Sequence, residues 1–166
     1  FELIKLANKH PRVDILKPGC GVGGHCISID PWFIASHLPS QTPLIQTSRK
    51  VNNKKTEWCI EKIVKNIKEF EKENHHSPKV GCLGLTFKPD INDVRESPAI
   101  KIANFLYKNY SNILISDPYI DFLNEFDLIN YKKLIKESDI VVVLVAHKEF
   151  KNCDYMGKPI IDLCGI

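Results

Sequence analysis

The run Ile140 to Val145 is apolar at every position and almost wholly β-branched, the composition of a strand with both faces buried rather than one face in water. Val80 to Leu85 is a second short apolar run, a third strand is read from about Asn112 to Ser116, and Ile160 to Leu163 is a fourth. Between the first two of these in chain order, Ser97-Pro98 reads as an N-cap followed by proline at the first helical position, opening a helix that continues from Ala99 to Lys108. Tyr131 to Lys136 reads as another short helix. Apolar strands alternating with helices predict a small parallel sheet covered on both faces.

Ahead of His75-His76-Ser77-Pro78 the pattern is helical instead. From Pro43 to about Asn74 the apolar residues Leu44, Ile45, Val51, Trp58, Ile60, Ile63, Val64, Ile67 and Phe70 follow helical spacing with charge between them. This predicts one long amphipathic helix, with Asn52-Asn53 as a candidate break, whose ordinary role is a core-facing or dimer-forming strut. A helix from Phe1 to about Lys9, a glycine-rich loop, and a helix from about Cys26 to His37 precede it. The expected organisation is a helical region over 1–76 followed by an α/β domain over 77–166.

Composition excludes several functions. Lys and Arg number 23 against 20 Asp and Glu, for a net charge of +3, and the two signs are well mixed. A nucleic-acid surface clusters its cations on one face, so no nucleic-acid partner is expected. No apolar run approaches the roughly 20 residues a membrane helix requires. The six cysteines form no paired CxxC, and no apolar amino-terminal segment reads as a signal peptide, so the thiols are expected to be reduced and the protein cytoplasmic. No metal site is expected. Phe1, Leu3, Ile4 and Leu6-Ala7 are already periodic, which reads as a chain opening in mid-helix within something longer.

Chemistry concentrates in Gly23-Gly24-His25-Cys26-Ile27-Ser28-Ile29-Asp30. A helix opening near Cys26 would set Cys26 and Asp30 one turn apart on one face and hold the thiol where helix amides favour thiolate. Gly23 and Gly24 would let backbone or substrate approach closely, and the Asp30 carboxylate would orient a water. Free cysteines more often serve as small buried hydrophobes, the role expected for Cys20, Cys59, Cys82 and Cys164. The glycine-rich context separates Cys26 from them.

In parallel sheets ligands sit at the carboxyl ends of strands, and here the first strand is followed by Thr86 to Pro98, with Lys88 and Arg95 as its cations. Beside a helix N-terminus they suit a phosphate; equally, they suit a solvated loop neutralised by Asp90 and Asp93. Gly19 to Gly24 matches the GxGxxG pattern of dinucleotide sites, but Pro18 precedes it and no acid stands near Ser40 to Ile45, so a cofactor loop is not expected there.

His10-Pro11-Arg12-Val13, Pro18 through Phe33, Gly84-Leu85-Thr86-Phe87-Lys88-Pro89 and Asp93 through Pro98 together resemble the nucleotide-sugar 6-dehydrogenases, the UDP-glucose/GDP-mannose dehydrogenase family. His25-Cys26 and Asp30-Pro31-Trp32-Phe33 are most similar to its UDP-N-acetyl-D-mannosamine branch, whereas the UDP-glucose branch has lysine where this chain has Ile29. The resemblance runs over essentially the whole chain.

The resemblance implies an α/β protein: a central helical region carrying the cysteine loop and a long dimerisation helix, then a small Rossmann-like UDP-sugar-binding domain. It implies oxidation of the sugar C6 to a carboxylate with two NAD reduced, through a Cys26 thiohemiacetal and thioester, with Asp30 preparing the hydrolytic water. Arg12 matches an arginine that reaches the nucleotide sugar of a neighbouring subunit. Gly23, Gly24, Lys88 and Arg95 would lie against the UDP-sugar, and a homodimer or higher homo-oligomer would form through the central helix. NAD would be held mainly by an amino-terminal domain outside these residues, so this stretch alone is expected neither to bind NAD nor to turn over. UDP-N-acetylglucosamine as substrate, a nucleotide-binding module without chemistry, and a helical assembly module are the alternatives.

Overall fold

A computed structural model describes residues 2–166. Ten elements follow in order: α1 (Glu2–Ala7), α2 (Asp30–His37), α3 (Pro43–Asn74), β1 (Val80–Leu83), α4 (Pro98–Asn109), β2 (Ile113–Ser116), α5 (Tyr131–Glu137), β3 (Ile140–Val143), α6 (Lys148–Lys151) and β4 (Ile160–Asp162). The expected α/β class is what the chain adopts, a helical half with one long helix ahead of a parallel sheet.

The four strands pair in the order β2-β1-β3-β4, all parallel, with Val80 opposite both Ile113 and Ile140. Every residue of β1 and of β3 is buried, as unbroken apolar runs require. The chain leaves β1 toward β2 on one side and returns past it to β3 on the other. Right-handed crossovers in opposite directions put α4 and α5 on opposite faces, and the reversal opens a crevice at the carboxyl ends of β1 and β3. β1 stops at Leu83 because Gly84 turns with φ +92, where a Cβ would stand 2.5 Å from the Val145 side chain.

Ser97 caps α4 as read from sequence, its hydroxyl accepting from the N–H groups of Ala99 and Ile100. α3 runs 32 residues without the break entertained at Asn52-Asn53. The Asn52 side chain turns away from its own helix and bonds both backbone groups of Val22, so it does not compete with the helical ladder. Thr56, Cys59, Ile63 and Ile67 make a buried stripe at three- and four-residue spacing, and α3 thereby packs on α4 and joins the core that the sheet builds. α6 is a one-turn helix that period counting does not detect.

Candidate active site

The glycine loop is stitched to its surroundings from several sides. Cys20 is buried and donates its thiol to the Leu144 carbonyl, while its own carbonyl accepts from the Thr56 hydroxyl at 3.0 Å. Hydrogen bonding to Cys164 and, after it, burial push Cys20 well above the ordinary thiol range, against a lowering contribution from Cys59. Cys20 therefore stays a packed thiol, as read from sequence.

Gly23 and Gly24 bring this loop onto the loop after β1. A Cβ on Gly23 would stand 2.5 Å from the Glu96 carbonyl oxygen and 2.9 Å from Phe87 Cβ. Gly24, at φ +90, lies against the Phe87 ring and donates its N–H to the Arg95 carbonyl at 3.0 Å. These contacts need backbone where any side chain would intrude.

Cys26 follows at once, exposed at the seam of the two loops. The helix expected to open there begins at Asp30 instead. Pro31 lacks the N–H that an uninterrupted helix would donate to Ile27, and it sits instead in the first turn of α2, where that donor is not needed. One helical turn nevertheless survives ahead of α2: the Cys26 carbonyl accepts from the Asp30 N–H at 2.8 Å and from the Ile29 N–H at 3.0 Å. The thiol-bearing residue and the carboxylate-bearing residue thus remain one turn apart, with the thiol on the approach to the helix rather than inside its first turn. Ser28 braces the turn by donating to the Gly24 carbonyl.

Arg95 grips Asp93 in a two-pronged pair, with N···O distances from 2.6 to 3.1 Å. Its hydrogen bonds, and after them its backbone N–H, pull Asp93 down to about 2, with His25 adding a smaller field. Arg95 is held above its ordinary value by Asp93 first, and Cys26 contributes in the same direction. His25 and Cys26 are therefore within electrostatic reach of the Asp93–Arg95 pair. For Arg95 the neutralised alternative is the observed one. Lys88 is exposed and makes no ion pair among the described residues. Arg12 lies on the exposed turn after α1 and makes no hydrogen bond with either loop among the described residues.

Sequence reasoning missed the groups beneath Lys88. Asp117, just past β2, accepts from the N–H groups of Leu85 and Tyr119 at 2.6 and 2.8 Å, and from His147 Nε2 at 3.1 Å. Burial raises Asp117, but the bonds from His147, Leu85 and Tyr119 outweigh it and hold the carboxyl below its ordinary value. Asp90 does not pair with Lys88 or Arg95; its carboxylate accepts from the Lys148 N–H at 2.9 Å and the Tyr119 hydroxyl at 3.4 Å. Asp90, His147 and Glu149 converge within 4.8 Å, yet the His147 Nδ1 lone pair already accepts the Asp90 N–H. The same end-of-strand rule that singled out Lys88 applies to Asp117 and His147, which follow β2 and β3.

Two family models match the chain: the central domain of the UDP-glucose/GDP-mannose dehydrogenase family over residues 1–54 and the UDP binding domain of the same family over 81–166. The chain belongs to this family, in which the first recognised stretch carries the cysteine loop and the second the whole sheet. It is 48% identical over 158 residues to the UDP-N-acetyl-D-mannosamine dehydrogenase of Campylobacter jejuni, covering 90% of this chain and 38% of that protein. It is 38% identical over 174 residues to an NDP-N-acetyl-D-galactosaminuronic acid dehydrogenase of Ralstonia solanacearum, covering 100% of this chain and 40% of that one. Among solved structures, a UDP-D-ManNAc dehydrogenase from Pyrococcus horikoshii superposes with a TM-score of 0.78 at 29% identity, over 99% of this chain and 40% of that one. The chain thus spans about two fifths of the length of these relatives.

Proposed function

We propose that residues 1–76 and 77–166 are the central and UDP-sugar-binding domains of a nucleotide-sugar 6-dehydrogenase that converts UDP-N-acetyl-D-mannosamine to its uronate. The observation that carries this reading is the seam itself: Gly23 and Gly24 lie on Phe87, Arg95 and Glu96, so an exposed cysteine adjoins a cationic loop at the end of β1. The 48% identity to the Campylobacter jejuni enzyme supports the choice of sugar over UDP-N-acetylglucosamine.

NAD accepts the electrons in this family, and the two oxidations belong to it rather than to this chain's side chains. Their own work is covalent. The Cys26 thiolate adds to the C6 aldehyde, and the resulting oxyanion takes up a proton to give a thiohemiacetal. Once that carbon has been oxidised to the thioester, a water positioned by Asp30 adds to it. The C–S bond then breaks, releasing the carboxylate and returning the sulfur as thiolate. Lys88 and Arg95 face the diphosphate, Arg95 exchanging part of its Asp93 contact for phosphate. Arg12 completes the site of a second copy across a homodimer.

Leu44, Val51 and Trp58 stand exposed on α3, which supports dimerisation through that helix. No helix among the described residues is long and apolar enough to cross a membrane, and six free thiols suit a reducing, cytoplasmic setting.

The test is made on the full-length protein that carries this chain, supplied with NAD and UDP-N-acetyl-D-mannosamine. Two NADH form per sugar, and Cys26→Ala stops uronate formation while UDP still binds. Uronate made at the normal rate by Cys26→Ala would sink the reading.

A further inference from the structure

Lys88 stands on a short loop whose backbone is tied down from below at three points. Thr86 donates its hydroxyl to the Lys88 carbonyl at 2.8 Å, His147 Nδ1 accepts the Asp90 N–H at 3.0 Å, and the Asp90 carboxylate accepts from the Lys148 N–H. Asp90 itself has φ +60, a sparsely populated backbone for a residue with a side chain, which persists only where the surroundings impose it. His147 is the piece that connects these ties to the sheet. Because Nδ1 accepts, Nε2 carries the ring proton and points it at Asp117, which in turn receives the N–H groups of Leu85 and Thr86.

The ring has no freedom to adjust. It is fully buried, stacked on Tyr119 with centroids 4.9 Å apart, and met edge-on by Phe150 at 5.4 Å. It therefore acts as a rigid spacer between the end of β2 and the turn at Asp90, at the crevice where the strand order reverses.

We infer that His147 is a positioning residue for nucleotide binding, holding the Lys88 loop at the height from which its ammonium meets a diphosphate. The inference rests on the reading of Lys88 as an anion-binding group. It assigns a task to a buried imidazole that the covalent chemistry of Cys26 does not use. A histidine that merely filled the core would change the melting temperature on substitution, without any dependence on Lys88.

The experiment titrates the full-length protein that carries this chain with UDP by calorimetry, in wild type, His147→Phe, His147→Asn, His147→Gln, Lys88→Ala and the His147→Phe/Lys88→Ala double variant. Phe keeps the aromatic volume and loses both nitrogens. Asn carries its oxygen on the same carbon as Nδ1 and restores the acceptor for the Asp90 amide; Gln reaches toward Asp117 instead. Expected are a roughly tenfold rise in Kd for His147→Phe, recovery of most of it in His147→Asn, and less than about a twofold further rise when His147→Phe is added to Lys88→Ala. Wild-type affinity in His147→Phe, or an undiminished effect in the Lys88→Ala background, overturns the inference. Should the Phe variant not fold, the Asn and Gln variants decide: tighter binding by Asn supports the tie to Asp90, and equal or tighter binding by Gln overturns it. UDP binding that requires Lys88 but ignores position 147 removes this inference alone. A wild type that does not bind UDP removes the reading of Lys88 with it.

Discussion

The two halves of this chain solve the problem of burial differently. From β1 onward, helices and strands close over one another, and Leu83, Ile102, Leu106, Leu134 and Phe150 are all fully buried. Ahead of α3 the large apolar residues stay outside, with Leu3 78% and Phe33 64% exposed, and α1 buries none of its residues. The α/β half is stabilised by a core that α3 completes, while the loops ahead of α3 are held mainly by specific backbone contacts: Asn52 to Val22, Thr56 to Cys20, and Gly24 to Arg95. The cysteine proposed for the covalent chemistry lies in the second kind of structure, and the loop proposed to meet the diphosphate lies in the first. One half is held by a continuous apolar core and the other by a few specific hydrogen bonds and close backbone contacts, which is what the comparison teaches.

Thiol labelling separates the halves most sharply. Iodoacetamide followed by mass spectrometry should modify exposed Cys26 first and half-buried Cys153 later, since burial pushes Cys153 upward. Cys82, fully buried and pushed up to about 12 by desolvation, should lag by at least roughly a thousandfold, because it reacts only on unfolding. Early labelling of Cys82 would break the contrast.

Core truncation comes next. Leu106→Ala should cost about 2–5 kcal/mol in urea denaturation, whereas Phe33→Ala should stay within about 0.5 kcal/mol. Comparable losses at the two positions would mean that Phe33 is not a surface residue in solution. At the seam, Gly23→Ala forces a Cβ into the Glu96 carbonyl and should cost about 1–3 kcal/mol. It should also accelerate proteolytic cleavage within 12–30 while leaving the sheet intact. Ser97→Ala, which removes the cap of α4, should cost about 1 kcal/mol by the same denaturation assay.

The smallest effect is a slope. Asp117 is held below its ordinary carboxyl value, so its contribution to stability is present in full above the unfolded value of about 3.9 and is lost as pH falls through the folded one. Unfolding free energies collected between pH 5 and pH 2 should fall less steeply in Asp117→Asn than in wild type. An unchanged slope would show that other carboxylates carry the acid sensitivity.

Much of the site lay open in the residue string because its markers are local. Cys26 and Asp30 are four residues apart on one strip of chain, Ser97-Pro98 announces the helix that ends the anion loop, and Lys88 and Arg95 follow a strand. α2 starts at Asp30 rather than near Cys26 because Pro31 cannot donate to Ile27 and belongs in a helix's first turn. Asp117 and His147 escaped notice because their role depends on strands that are neighbours only after the sheet has formed: β2 and β3 flank β1, and 30 residues separate the two side chains in sequence.

Hydrophobic period and capping chemistry determined by themselves that this chain makes one long helix and a parallel sheet, since both act over a few residues and need no partner to be read. Only the tertiary structure decided that Gly23 and Gly24 serve a close approach between two loops, that Arg95 is already paired with Asp93, and that a buried imidazole braces the Lys88 turn. Those outcomes depend on which distant groups come within 3 Å or so, where hydrogen bonds and steric exclusion act, and no spacing along the chain encodes that distance.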